Sequence, residues 1–324
     1  MLLRAGLAWV SVLFSMTMAM AQWEAMPPST PISDPAVVTA PPLLDFSPQP
    51  LVTGPLQGAD LPPLAAGPQP PTSYQWQLLP DGLMYPAYLA NGRESRISAQ
   101  WLQEEDQGGL WDITLGGHVG IFRYGTSDPL LPQGFQADIE GAAFPRLTLD
   151  WDRDLVSVDF RFGVPLTLRQ GPFETKLAYY HLSSHLGDEF WMKHPDLERI
   201  NYSRDVFVWG IAYRIVPDLR LYGEAGWAVY TSGGSEPWEF QFGVDYSSVR
   251  LSSALGSPFF ALNARLRQEV DFGGNFTAQT GWQWRGQSGH LLRTGFSYFN
   301  GKADQGEFFR QQEEQFAFGI WYDY

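Results

Sequence analysis

The sequence contains no cysteine, which excludes a disulfide framework, a thiolate metal site and a lipid-modified cysteine behind an export signal. Basic residues are scarce: 21 Lys and Arg stand against 35 Asp and Glu, for a net charge of −14. Nucleic-acid binding needs Lys and Arg gathered on one face, and no such cluster occurs, so a nucleic-acid partner is not expected. Also missing is any apolar run near the roughly 20 residues of a helical membrane span. The stretch Ala5–Phe14 is too short for one. It follows Arg4 and precedes Ala19-Met20-Ala21, the order of a secretory signal peptide cleaved near Gln22. Residues 1–21 are therefore read as a signal peptide rather than an anchor.

What the chain has in quantity is proline, in one place. Fourteen of its 25 prolines lie between Pro27 and Pro71, where each removes a backbone donor and fixes φ, so neither helix nor sheet can form. Residues 22–73 are expected to be a disordered, extended leader, either a plain linker or a tether to a periplasmic partner.

From Arg96 onward the pattern is alternation of period two, broken by Gly, Pro, Asn and Asp, which signals strands and turns. Strands are predicted at Arg96–Gln103, Trp111–Tyr124, Phe135–Leu149, Leu155–Leu168, Phe173–His185, Ser203–Ile215, Leu219–Thr231, Trp238–Ser248, Pro258–Asp271, Phe276–Arg285, Leu291–Asn300 and Glu313–Tyr324. About twelve strands, many long enough to cross a bilayer at a tilt, predict an all-β, antiparallel transmembrane barrel over residues 74–324. An aromatic fraction of 15% beside slightly negative mean hydropathy fits one lipid face and one polar face.

The faces separate residue by residue. Val156, Val158, Phe160, Phe162, Val164 and Leu166 fall on one side of their strand, with Asp159 and Arg161 on the other. In Pro258–Asp271, Phe260, Leu262, Leu266 and Val270 oppose Asn263, Arg265, Arg267 and Glu269. A two-sheet sandwich gives the same alternation with its apolar side inward. The chain end favours a barrel: Phe316, Phe318, Ile320, Tyr322 and Tyr324 alternate up to an aromatic, similar to the signal read by outer-membrane barrel-assembly machinery. An outer-membrane location, with outer-membrane lipids as partners, follows as the expectation.

The chain resembles the family called domain of unknown function 1207. The resemblance rests on Leu79-Pro80-Asp81-Gly82-Leu83, Tyr88-Leu89-Ala90, Gly141-Ala142-Ala143-Phe144-Pro145-Arg146-Leu147, Asp159-Phe160-Arg161-Phe162-Gly163-Val164-Pro165-Leu166, Tyr180-His181-Leu182-Ser183-Ser184-His185-Leu186-Gly187-Asp188-Glu189 and Gly319-Ile320-Trp321-Tyr322. It spans roughly Tyr74 to the end and implies no activity.

One group of residues suggests chemistry. His181 and Ser183 share a strand face, with Ser184 pointing the other way, while Ser203 and Asp205 open the next strand. If these strands form a hairpin with Ser183 beside Ser203, His181 lies opposite Asp205, close enough to orient an imidazole that activates a hydroxyl. If Lys176 and Arg204 face the lumen, this group faces lipid. The candidate roles are Ser183 as nucleophile, His181 as general base, and Asp205 or Asn201 as the group orienting the imidazole. The His-x-Ser resembles that of outer-membrane phospholipases and lipid A deacylases, although Ser184-His185 follows where the phospholipases have Asn-Gly.

With the amino terminus in the periplasm, the link after the fifth predicted strand is extracellular. It offers Asp188 and Glu189, with Asp196 and Glu198, as oxygen ligands for calcium. His181 and His185 lie on one face without a third zinc ligand. The lumen charges Asp159, Arg161, Arg220, Glu224, Arg265, Arg267 and Glu269 suggest a second role, a small-solute pore, unless they pair and fill the bore. A purely structural barrel is the third.

Overall fold

The computed structural model describes residues 73–105, 108–149 and 153–324. The expected signal peptide, and all of the expected leader except Ser73, lie outside the described residues. The strands are β1 (Gln75–Leu78), β2 (Ile97–Glu104), β3 (Gly108–Gly125), β4 (Gly134–Thr148), β5 (Leu155–Gln170), β6 (Phe173–Leu186), β7 (Ser203–Val216), β8 (Leu219–Ser232), β9 (Trp238–Ser247), β10 (Ser257–Arg267), β11 (Gly274–Arg285), β12 (Leu291–Lys302) and β13 (Gln312–Asp323). Each of β2 to β13 pairs antiparallel with its successor, and β13 pairs with β2, so twelve strands close a barrel. Closure leaves no free sheet edge around most of the wall, the condition for crossing hydrocarbon with strands. Every predicted strand is present. Pro258–Asp271 ends early: Gln268–Val270 curls into a 3-10 turn, and Val270 packs inward rather than facing out.

At the end where β13 finishes, two of the links are two-residue turns. Between β5 and β6 only Gly171 and Pro172 intervene, with Gly171 at φ 58°, the left-handed geometry that a two-residue hairpin demands. The opposite end, here the far end, carries the longest link, residues 187–202. It includes a short helix, α1 (Asp188–Lys193). Outward-facing aromatic side chains gather near both ends. Trp76 stacks on Phe122 near β1, and Trp101 stacks on Trp111 at the far end. Such girdles mark the two interfaces of a bilayer.

The interior is polar and filled. Lumen-facing charges pair across strands: Arg161 with Glu140 at 2.9 Å, Lys176 with Glu224 at 2.7 Å, Arg265 with Glu239 at 2.7 Å, and Arg146 with Asp112 and Glu313 at 2.7 and 2.8 Å. The other charges named from the sequence pair as well, Asp159 with Arg93, Arg220 with Asp245, and Arg267 with Glu269.

The largest filler is a segment without strand alternation. Between β1 and β2 the chain leaves the wall and enters the lumen. Gly82 (φ 76°) passes so close to Pro129 that an added Cβ would lie 2.1 Å from its carbonyl oxygen, so only glycine fits there. Tyr88 stacks on Tyr222 and donates its hydroxyl to Glu224 at 2.8 Å. Farther on, Leu89 N–H donates to Asp245, Arg93 pairs with Asp159 at 3.0 Å, and Arg96 returns to pair with Asp323 at 2.9 Å. From Gly82 to Arg96 the chain is thus an internal plug. From the far end the link 303–311 folds in behind it, burying Phe308 and Phe309 and donating Gly306 N–H to Asp159 at 3.1 Å.

Removing one member of a buried charge group leaves its partners desolvated and unpaired, at a cost of about 3–5 kcal/mol. Glu239 serves Arg265, Arg204 and the Tyr180 hydroxyl together. Glu239→Ala is expected to lower barrel stability by at least that amount, read as a lower temperature for loss of the folded band in heat-modifiable gel mobility. Glu314→Ala, near the rim on the wall exterior, should leave that temperature nearly unchanged.

Candidate functional site on the outer wall

β6 and β7 pair in the register that sets Ser183 opposite Ser203 and His181 opposite Asp205. Arg204 is buried in the lumen and Lys176 points the same way to pair with Glu224, while Phe207, Trp209, Ile211 and Tyr213 on the other face are exposed. The His181 and Asp205 side chains therefore lie on the membrane side. They meet: His181 Nδ1 is 2.6 Å from Asp205 Oδ1. The Tyr179 hydroxyl donates to the same oxygen at 3.1 Å. Phe160 and Phe162 of β5 flank Ser183 and His181 in register, and Phe207 packs against Tyr179. A polar cluster is thus set within an aromatic wall.

With Nδ1 held by the carboxylate, Nε2 of the imidazole has no hydrogen-bond partner among the described residues, the division of labour a general base requires. Ser183 lies two residues along the same face, about 7 Å away in the backbone, and is half-buried. Among the described residues its hydroxyl has no hydrogen-bond partner. Asn201 stands apart from this group. It is an exposed residue at φ 49°, and its N–H donates to Glu307 Oε1 at 2.9 Å. Of the two, Asp205 is the one that meets His181.

The metal expectations find no ligand set. Among the described residues no three His, Asp or Glu side chains converge on a common point. Asp188, in the first turn of α1, pairs with Arg199 at 2.5 Å, and His185 packs its ring against Phe160.

Glu307 ties the far-end link 187–202 to the barrel. Its carboxylate accepts the N–H groups of Ile200 and Asn201 at 3.0 and 2.9 Å, and its own N–H donates to Ser184 Oγ at 3.0 Å. Burial raises its pKa above the usual 4.5, against the pull of those N–H donors. An acid whose pKa is raised by folding is destabilising once ionised: the penalty is absent below pH 4.5 and complete above the raised value. Stability should therefore fall as pH rises through that window. Glu307→Gln should remove this part of the slope, measured as thermal stability against pH for both proteins.

A family model described as a protein of unknown function, DUF1207, matches residues 67–324. The chain belongs to this family. No curated protein matches the sequence. Among solved structures, the chain is similar to the Salmonella typhi outer membrane phospholipase dimer with bound calcium, at 9% identity and a TM-score of 0.50, covering 74% of this chain and 91% of that one. The outer membrane phospholipase A of Escherichia coli gives 9% identity and a TM-score of 0.48 over the same shares. A KdgM porin gives 10% identity and 0.41, covering 70% and 99%. At such identity the likeness establishes the fold, that of bacterial outer-membrane barrels. This family member carries that fold with its lumen filled.

Proposed function

We propose that the protein is a serine-type lipid acyl hydrolase working from the outer wall of an outer-membrane barrel. The observation carrying this reading is the 2.6 Å contact between His181 Nδ1 and Asp205 on the membrane side, with Ser183 two residues along. A histidine–carboxylate pair at a hydrocarbon surface is costly, and structural need does not call for it, because the neighbouring outward positions are filled by Leu177, Phe207 and Trp209.

In this reading Ser183 Oγ attacks an ester carbonyl of a phospholipid or lipid A acyl chain, and its proton passes to His181 Nε2. That proton goes to the departing alcohol oxygen, leaving an acyl-serine, which water hydrolyses with His181 again as base. Asp205 fixes the tautomer and stabilises the imidazolium. The exposed aromatic wall gives the acyl chain a surface to lie along. Lipid mass spectrometry on purified protein with outer-membrane lipids, with and without calcium, tests the reading. Fatty acid release by the wild type supports it, and no release under either condition overturns it. The pore reading is disfavoured by the filled lumen.

A further inference from the structure

The wall is interrupted where the plug leaves it. β1 pairs with β3 from Gly125 to Phe122, and β2 resumes the pairing at Leu115. Residues Gly116 to Ile121 of β3 have no ladder partner on this edge. Among the described residues, one backbone bond reaches it from the plug side, Leu79 N–H to Ile121 O at 3.0 Å. An open sheet edge does not persist in hydrocarbon unless protein or a polar cavity covers it. This edge lies just inside the girdle formed by Trp76, Phe122 and Tyr124, hence at membrane depth.

Behind the edge is a recess of about 210 Å³ whose lining includes Asp81, Gly82, His118, His290 and Tyr324. His118 is buried there, its Nε2 3.3 Å from the Asp138 carboxylate. The Tyr324 ring reaches across the gap, so close to Gly117 that a Cβ there would lie 3.4 Å from it. On the membrane side Leu78, Leu79, Leu115 and Val119 are all exposed.

We propose that this interruption is a lateral lipid-binding slot that takes a phospholipid with an amine-bearing head group. The head occupies the recess, and the acyl chains lie along Leu78, Leu79, Leu115 and Val119. An amine is favoured because the lining carries a carboxylate and no permanent cation. No Lys or Arg lines the recess, Asp81 does, and His118 stands between Asp138 and Glu140. A peptide strand is the rival occupant of an open edge, but here β1 and β2 occupy the same line at both ends, so an entering strand would have no continuation. The slot is separate from the cluster on β6 and β7 and does not rest on its chemistry.

The test is photo-crosslinking of the full-length protein in bilayers containing phosphatidylethanolamine and phosphatidylglycerol, each probed in turn with the same acyl-borne photoactivatable group. Adducts are mapped by peptide mass spectrometry. Phosphatidylethanolamine adducts should concentrate on residues 78–83 and 115–121, severalfold above those around Phe296 and Phe318 elsewhere on the wall. Gly117→Trp, which fills the gap, should remove the excess while leaving the Phe296 and Phe318 adducts unchanged, with gel mobility reporting folding. Even labelling around the wild-type wall overturns the slot whatever the variant does, and equal enrichment with phosphatidylglycerol overturns the amine assignment.

Discussion

Ser183→Ala and His181→Ala are each expected to lower acyl release by at least roughly a thousandfold, because a nucleophile and its base act as one unit and losing either forfeits nearly the whole effect. Asp205→Asn should also cost heavily. Its amide can still meet His181 Nδ1, but it neither enforces the tautomer nor offsets the imidazolium charge. Ser203→Ala, which removes the hydroxyl directly across from Ser183, is expected to retain activity. Acyl release that survives Ser183→Ala undiminished would sink the assignment. Parallel loss in Ser203→Ala would indicate damage to the wall instead. Ser184 is a poor control: its hydroxyl donates to Asp159 at 2.5 Å and accepts the Glu307 N–H, so its removal disturbs the lumen and the far-end link together.

The strands were legible in the sequence because each is written locally. Alternation such as Val158-Asp159-Phe160-Arg161 records two solvents, and a single strand carries the whole message. The meeting of His181 and Asp205 followed from the same period once a hairpin was assumed, since register fixes which residues face each other across strands. The place of Asn201 was not legible because loop geometry carries no period: its N–H is held by Glu307, more than a hundred residues away. The plug was hidden for a related reason. Its residues show no alternation, and its partners Asp159, Glu224, Asp245 and Asp323 are scattered along the chain. The dense polar run Asn91-Gly92-Arg93-Glu94-Ser95-Arg96 ahead of the first barrel strand was the available signal. Such a run belongs in water or against opposite charge, and here opposite charge lines the lumen.

Removing the plug is expected to turn a silent barrel into a conducting one. The pairing of β3 dictates the variant: Leu78 faces Phe122 and Ile97 faces Leu115, and with the bulge at Ile121 counted out, five residues between Leu78 and Ile97 would continue β1 into β2 as one strand with both side chains facing outward. Replacing residues 79–96 with the five residues Thr-Val-Thr-Val-Thr therefore restores the wall while emptying the bore. The lumen then holds Asp159, Glu224, Asp245 and Asp323 without the plug, but water can enter and solvate them, so the barrel should survive where Glu239→Ala, buried among arginines, weakens it. In planar bilayers the wild type should show small or no openings and the variant steady ones, sensitive to salt because two-signed charge lines the path. The same variant closes the gap beside Gly116–Ile121 and should abolish the lipid adducts there, while leaving acyl release from the β6–β7 cluster in place. Steady openings of equal size in the wild type would mean that the plug does not seal. A folded variant that stays silent would mean that the link 303–311 blocks the bore alone.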